Sequence, residues 1–285
     1  MKKIVFSLFS TFFHFFTTQE LVASPSVFLT QTDNLFVRIT VPDRGIVCSN
    51  QDRVKRISST LKNVEIYHIP WGYDIYIGDY RNTKVFIASA PVGSGSGLMF
   101  TELYAAGAKY IVRFGSDDEK LPTQVDTNLI KIITETDNLY GFNQASGIDP
   151  EEWGTPVSSS PLLLERLEKE ASRRSLPVEK RICHHLENYH ALRTPEKFSP
   201  ERQKRIESHL KKMGIGPNQK GSMDMESAVL FRVAKDFDLH AISVLQTVDK
   251  GNKKLGPYEG KNNIQALDME KLFTDYILSA LVSIK

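Results

Sequence analysis

An apolar strand, a glycine-rich turn, a helix and a second apolar strand follow one another between residues 84 and 114. Residues 84–90 form a continuous apolar run, residues 93–97 hold three glycines, residues 98–106 have helical character, and residues 110–114 are apolar again. Two strands joined by a crossover helix are normally parallel neighbours in one sheet. This order constrains the fold most strongly, and it predicts an α/β architecture.

The rest of the chain continues this alternation, with one interruption. Further strands are predicted at 45–48, 66–80, 130–134 and 241–248, and helices at 52–62, 162–174, 200–213 and 268–284. Residues from about 147 to 221 break the rhythm and contain seven prolines. We interpret this stretch as a helical insertion over the site, within a single domain that spans residues 30–285.

Composition excludes several classes of function. The chain has 285 residues, long enough for one sizeable core. Its 36 basic and 34 acidic side chains leave a net charge of +2, which is too balanced to predict nucleic acid as a partner. Two cysteines are too few for a disulfide framework or a cysteine metal site. The histidines at 184, 185 and 190 fit no strong metal-binding motif, so no metal is expected.

The N-terminal residues 1–24 have the order of a targeting leader. Lys2 and Lys3 precede an apolar run at 4–16, and small residues follow at 22–24. The run is too short to span a bilayer comfortably, so no stable membrane span is expected. A secreted or organelle-targeted protein is predicted if this leader is real. The alternative is an ordinary N-terminal extension on a cytoplasmic protein.

Two carboxylates and a strand-end acid are the candidate functional groups near the C-terminus. Asp224 and Glu226 alternate with methionines at the start of an apolar helix that runs to about residue 237. The strand at 241–248 then delivers Asp249 at its carboxyl end, where open α/β sheets bind their ligands. A carboxylate accepts paired hydrogen bonds from a vicinal diol, so Glu226 is a candidate sugar ligand. The alternative is that these acids only complement the dipole of the helix.

Residues 223–228 (MDMESA) and residues 113–116 (RFGS) resemble motifs of the nucleoside phosphorylase family, which includes purine and uridine phosphorylases and related nucleosidases. The resemblance extends from about residue 45 to 284. It implies a mixed central β-sheet flanked by helices and a homo-oligomer, either a dimer or a trimer of dimers. It also implies phosphorolysis of a nucleoside to free base and ribose 1-phosphate. Glu226 corresponds to the ribose ligand, with Met225 beside it and Asp224 in place of the family's first Glu.

The resemblance also implies a phosphate site and no cofactor other than inorganic phosphate as co-substrate. Arg113 ends a strand and is followed by Ser116, which adds a hydroxyl and an amide. An arginine fork pairs with two phosphate oxygens at once. Arg53 matches a second phosphate arginine, but Ser49-Asn50-Gln51 stands where the family has Gly-Asp-Pro. Ser49 is therefore an altered phosphate contact.

For the leaving base, the resemblance places Asp249 where purine phosphorylases carry their acid. A carboxylic acid beside the base can donate a proton as negative charge develops on it. The alternative is a surface turn, because Asp249 begins a good turn sequence. Tyr189 is a candidate for stacking on the base. Residues 189–194 do not reproduce the Gln-x-Arg pair that uridine phosphorylases use, which favours a purine, whereas the insertion before residues 225–228 is itself typical of uridine phosphorylases.

Two alternatives to phosphorolysis remain open from the sequence. One is a nucleosidase of the same fold, in which water replaces phosphate. The other is a non-catalytic nucleoside-binding or storage protein on the same scaffold. The altered loop at Ser49, Trp71 in place of a further family arginine, and two consecutive acids at Asp117 and Asp118 favour the latter. Acids beside a phosphate pocket repel phosphate unless they face outward.

Overall fold

The computed structural model describes residues 36–117, 129–212, 221–247 and 264–285. Within these ranges, the strands are β1 (Arg44–Cys48), β2 (Lys62–Ile69), β3 (Tyr73–Tyr80), β4 (Thr83–Ser89), β5 (Tyr110–Asp117), β6 (Ile130–Asp137), β7 (Val157–Ser158), β8 (Val178–His185), β9 (Ser222–Asp224) and β10 (His240–Thr247). The helices are α1 (Gln51–Ser58), α2 (Ser96–Ala105), α3 (Tyr140–Ala145), α4 (Pro161–Arg174), α5 (Tyr189–Arg193), α6 (Pro200–Lys212), α7 (Ser227–Asp236) and α8 (Ile264–Val282).

The described strands form one mixed sheet in the order β2-β3-β4-β1-β5-β10-β6-β8-β9, with β7 paired to β6. Strands β4, β1, β5 and β10 are mutually parallel, whereas β6 runs antiparallel to β10. Strand β9 also contacts the end of β5, where Ser222 and Met223 donate hydrogen bonds to Asp117. The predicted α/β fold with a mixed central sheet and flanking helices is confirmed.

Two hydrophobic clusters pack against the two faces of this sheet. One contains Phe100 and Phe231 of helices α2 and α7. The other contains Ile57 of α1 and Phe273 of α8. Neighbouring residues of β1 enter opposite clusters, as the alternation of side chains along a strand requires. Three layers result, and the carboxyl ends of the central strands are left open between them.

The strand predicted at 66–80 is two strands joined by a tight turn. A 3₁₀ turn at Pro70–Gly72 separates β2 from β3, and the two strands pair in antiparallel fashion. Gly72 has φ +78°, a conformation that glycine adopts without strain. A proline and a glycine two residues apart mark this turn, and the prediction of a single strand was wrong because apolar residues continue on both sides of the turn.

The segment predicted as a helical insertion at 147–221 contributes directly to the domain. Strand β8 pairs in parallel with β6 and β9 inside the central sheet. Helix α4 packs against α8 and begins at Pro161 with a cap from Ser160, as helix starts commonly do. The described residues between β8 and β9 contain α5 and α6. No helix within the described ranges is long and apolar enough to cross a membrane.

Candidate functional site

A cavity of about 570 Å³ opens where β1 and β5 end. Residues of β5 itself, residues that follow β1 and β4, and the segments at and after the ends of β8 and β9 line it. This volume lies within the range typical of small-molecule sites. Its lining residues are Ser49, Asn50, Arg53, Val92, Arg113, Gly115, Ser116, Glu187, Asn188, Tyr189, His190, Asp224, Met225 and Glu226.

The cavity brings together eight of the nine residues predicted from the sequence. They are Ser49, Arg53, Arg113, Ser116, Tyr189, Asp224, Met225 and Glu226. The ninth, Asp249, lies outside the described residues. The individual roles of these residues in phosphate, ribose and base binding stay predictions.

Arg113 is a buried cation of the cavity lining, with 4% of its surface exposed. Its Nη1 lies 2.7 Å from a carboxylate oxygen of Asp224, and its Nη2 donates to Glu226. Burial acts to lower the pKa of the Arg113 guanidinium, but the charges of these two carboxylates outweigh it and raise that pKa. The guanidinium folds back over Gly115, where a side chain would collide with it. Glycine is therefore required at 115 for this geometry.

Asp224 holds the start of helix α7. Its Oδ1 accepts from the backbone N–H of Ser227 at 3.1 Å and from that of Glu226 at 3.3 Å. Its Oδ2 accepts from the Ser227 hydroxyl and from Arg113. Capping of this kind satisfies amides that have no partner within the helix. Asp224 thus caps the start of the helix and also pairs with Arg113.

Glu226 reaches across the cavity to the glycine-rich turn. Its Oε1 accepts from the backbone N–H of Gly93 at 2.9 Å, and its Oε2 accepts from Arg113. Gly93 has φ +74°, so the turn that presents this amide suits glycine. The carboxylate is 4% exposed and lies beside Met225 in the lining. Glu226 therefore joins the glycine-rich turn to the start of α7.

Arg53 approaches the cavity from the other face of the sheet. Asn50 caps helix α1 by accepting from the backbone N–H of Arg53 at 2.7 Å, so this cap persists without the family's aspartate. The Arg53 side chain lies over the Phe114 ring, 4.8 Å from its centre. Its Nη2 donates to the Ser116 hydroxyl at 3.3 Å, and its Nε lies 3.0 Å from Glu270. These contacts fix the guanidinium at the end of β5.

Glu270, on helix α8, was not predicted from the sequence. It binds both Arg53 and Arg56, with its Oε1 2.6 Å from Arg56 Nε. Burial acts to raise the pKa of the Glu270 carboxyl, but the hydrogen bonds and charges of the two arginines outweigh it and lower that pKa. An acid on a C-terminal helix gives no local signal that it will meet residues 53 and 56.

Glu187 also lines the cavity and was missed. Ser94 of the glycine-rich turn donates to it at 2.8 Å, and His185 Nε2 lies 3.5 Å away, an ion-pair distance rather than a hydrogen bond. Proximity to His185 and the contact with Ser94 outweigh burial and lower the pKa of the Glu187 carboxyl to about 2. Asn188 follows and caps the short helix that carries Tyr189. Polar residues directly after a strand were the available signal.

Asp117 does not add negative charge to the cavity lining in the described part of the chain. It is buried and accepts from Lys131, from the Ser222 hydroxyl at 3.1 Å and from the Met223 N–H at 3.1 Å. Its charge is compensated by Lys131 and serves to join β9 to β5. Asp117 is therefore not expected to repel phosphate from the cavity, while Asp118 lies outside the described residues.

The histidines are distributed among separate partners. His184 Nδ1 lies 2.8 Å from Asp137, whereas the neighbouring His185 faces Glu187. Within the ranges described, no three histidine, cysteine or acidic side chains group in a way that could hold a metal ion. The two described cysteines, Cys48 and Cys183, are buried and unpaired, and burial raises the pKa of both thiols.

No protein-family model matches this sequence, and no curated protein matches it. Solved structures do. Uridine phosphorylase from Vibrio fischeri is similar with a TM-score of 0.64 at 23% identity, covering 85% of this chain and 92% of that one. Purine nucleoside phosphorylase from Toxoplasma gondii in complex with immucillin-H is similar with a TM-score of 0.69 at 16% identity, covering 86% and 92%.

A nucleosidase shares the same architecture. The Campylobacter jejuni 5'-methylthioadenosine/S-adenosyl homocysteine nucleosidase is similar with a TM-score of 0.64 at 12% identity, covering 85% of this chain and all of that one. At these identities the likeness concerns the fold and leaves the reaction open. The chain has the fold that nucleoside phosphorylases share with nucleosidases.

Proposed function

We propose that this protein is an enzyme that cleaves nucleosides by phosphorolysis, giving a free base and ribose 1-phosphate. One observation carries the proposal. A single cavity is lined by two buried arginines, Arg53 and Arg113, by the hydroxyl-bearing Ser116, and by the buried carboxylate of Glu226. Cations and a hydroxyl suit phosphate, and a carboxylate suits the ribose diol. The fold shared with phosphorylases supports the same assignment.

Phosphate is proposed to bind at the end of β5. Arg53 is held there by Glu270 and by Ser116, and Arg113 lies on the opposite side of the same strand end. Two guanidinium groups offer planar forks that match phosphate oxygens. Ser49, at the end of β1, lines the same wall. These groups would also hold the attacking oxygen near the sugar, which lowers the entropic part of the barrier.

Ribose is proposed to bind at Glu226, with Met225 against its apolar face. Glu226 is fixed by the Gly93 amide, so its carboxylate is oriented before the sugar arrives. As the glycosidic bond lengthens, positive charge develops at C1′, and a buried carboxylate stabilises that charge. A phosphate oxygen then forms the new bond to C1′ while the base leaves with the bonding pair.

The departing base needs a proton or a strong hydrogen bond. The proposed donor is Asp249, and its assignment rests on the sequence because Asp249 lies outside the described residues. Tyr189 is proposed to stack on the base from the segment after β8, which lines the cavity. A purine is the preferred base in this proposal, and the assembly is proposed to be a homo-oligomer, which light scattering of the purified protein would check.

A nucleosidase is the second candidate, and one observation favours it. Both arginines already have carboxylate partners, Glu270 for Arg53 and the pair Asp224 and Glu226 for Arg113. Their charges are therefore compensated before any phosphate binds. A solved nucleosidase also has this fold. In that case water would attack C1′, and free ribose would be the product.

Base release from inosine, guanosine and uridine, each with and without phosphate, tests the proposal. Sulfate at the same ionic strength is the matched control, because it binds arginines but is a poor nucleophile. Release that requires phosphate and not sulfate is the expected result. Equal release without phosphate would establish the nucleosidase. No release by protein shown to be folded by circular dichroism would support a non-catalytic binding protein.

A further inference from the structure

The two carboxylates that pair with Arg113 are held to different extents. Asp224 accepts from two backbone amides and one hydroxyl at the start of α7, so it is fixed by the helix. Glu226 accepts from one backbone amide, that of Gly93, and otherwise from Arg113 within the described part of the chain. Asp224 is therefore the anchor of Arg113, and Glu226 is the partner that can be exchanged.

Arg113 also has an unused donor. Its Nε is buried and has no hydrogen-bond acceptor among the described residues. A buried donor without an acceptor is destabilising, so a ligand that supplies the acceptor gains affinity. The planar fork of an arginine can satisfy two donors at once with two oxygens of one oxyanion. An oxyanion bound in this way at Nε and Nη2 would compete with Glu226 for Nη2.

We propose that Arg113 passes from Glu226 to a bound oxyanion, and that this exchange couples phosphate binding to ribose binding. When phosphate takes Arg113, the buried Glu226 carboxylate loses its cation and keeps the Gly93 amide. A buried carboxylate with too few donors gains more from each new hydrogen bond. The two ribose hydroxyls supply such donors. This inference rests on the proposed function and adds that the two substrates bind cooperatively.

Coupling between two sites is reciprocal. If phosphate tightens nucleoside binding by some factor, the nucleoside must tighten phosphate binding by the same factor. Typical couplings are about 5–150-fold, and the exchange of one buried charge-assisted hydrogen bond falls in this range. Phosphate alone is therefore expected to bind weakly, because it must displace Glu226 without compensation.

Titration calorimetry of the wild-type protein tests the coupling directly. Inorganic phosphate is titrated alone and again with a saturating purine C-nucleoside, whose carbon–carbon glycosidic bond is not cleaved. The expected result is a Kd for phosphate that falls at least about fivefold when the C-nucleoside is present, with the same factor in the reverse titration. Equal Kd values with and without the C-nucleoside would overturn the coupling and leave phosphorolysis standing. Binding of neither ligand would overturn the proposed function as well.

Two matched variants distinguish the exchange of Arg113 between Glu226 and phosphate from a general effect of the net charge of the cavity. Glu226→Gln removes the competitor of phosphate at Arg113, so phosphate alone should bind more tightly than to the wild type, by about fivefold or more. Glu187→Gln removes one negative charge from the same cavity without touching Arg113. It should change phosphate affinity much less and should keep the wild-type coupling factor. Equal tightening by both variants would show that only the net charge of the cavity matters, which contradicts the exchange.

Discussion

Two buried arginines line the same cavity, but their counter-charges lie in different places. Arg53 is paired with Glu270, which belongs to helix α8 and is also bound by Arg56. Arg113 is paired with Asp224 and Glu226, both of which line the cavity itself. One arginine is thus fixed by a group outside the lining, and the other is paired with groups that a ligand would meet.

This difference indicates different tasks for two residues of the same type. We expect the position of Arg53 not to depend on what occupies the cavity, because Glu270 and the Phe114 ring contact its side chain and neither of them lines the cavity. In the exchange proposed above, Glu226 competes with a bound anion for Arg113 and then binds the sugar. Arg53 therefore supplies a constant positive charge, and Arg113 supplies one that the site can redistribute.

The largest effect is expected for Glu226→Ala. Loss of its proposed charge-assisted hydrogen bonds to ribose, each worth about 1.5–3 kcal/mol, should lower kcat/KM by about two to four orders of magnitude. Steady-state kinetics on the best cleaved nucleoside measures this effect, with circular dichroism to confirm folding. Near-normal kinetics would contradict the proposal that Glu226 binds ribose.

Replacing each arginine by methionine compares how much the ion pairs of Arg53 and Arg113 contribute to the free energy of unfolding. Arg113→Met leaves two buried carboxylates without their cation, and such a loss costs about 3–5 kcal/mol in the free energy of unfolding. Arg53→Met leaves Glu270 with Arg56, so the cost should be smaller, about 1–2 kcal/mol. Urea unfolding measures both values. Equal losses would mean that the placement of the counter-charges does not distinguish the two arginines.

Gly115→Ala tests the close approach of Arg113 to the backbone. The added Cβ would collide with a guanidinium that Asp224 and Glu226 hold in place. Such crowding costs about 1–3 kcal/mol, and phosphate affinity should fall with it. Gly95→Ala is the matched control in the glycine-rich turn, because its Cβ would meet Pro91 at an ordinary 3.5 Å. Similar losses in stability and phosphate affinity for both variants would contradict the specific role of Gly115.

The smallest expected effect is the contribution of Glu187 to the pH dependence of stability. Its pKa is lowered from 4.5 to about 2, so its ionised form contributes stability that is present above pH 4.5 and lost as the pH falls towards 2. The side chain is 42% exposed, and solvent screening limits the contribution to at most about 1 kcal/mol. Thermal melts of the wild type and Glu187→Gln should differ most above pH 5 and converge near pH 2. A constant difference across this range would argue against the shift.

The sequence predicts the centre of the fold better than its edges. The apolar strands β1, β4, β5 and β10 and the turn at Gly93–Gly95 follow from apolar runs and glycines. Strand β8 escaped prediction because three consecutive charged residues, 179–181, interrupt its apolar pattern. The hairpin between β2 and β3 was read as one strand although its proline and glycine mark the turn. Both errors concern strands that lie outside the parallel group β4, β1, β5 and β10.

The candidate site shows a similar division. Residues that carry a local motif, such as Arg113 and Glu226, were found and lie in one cavity. The partners that set their electrostatics were not found, because Glu270 is distant in the chain and Glu187 carries no motif. The capping role of Asp224 depends on the exact start of α7, which sequence patterns place only within a few residues. Pairing across the fold is decided by packing, which local patterns do not encode.

The most direct test of phosphorolysis is the identity of the sugar product. Phosphorus NMR would follow a mixture of the protein, phosphate and the best cleaved nucleoside until base release is complete. Phosphorolysis predicts one equivalent of ribose 1-phosphate for each base released, with an equal loss of inorganic phosphate. Free ribose with inorganic phosphate unchanged would contradict it, and the arginines would then require another role.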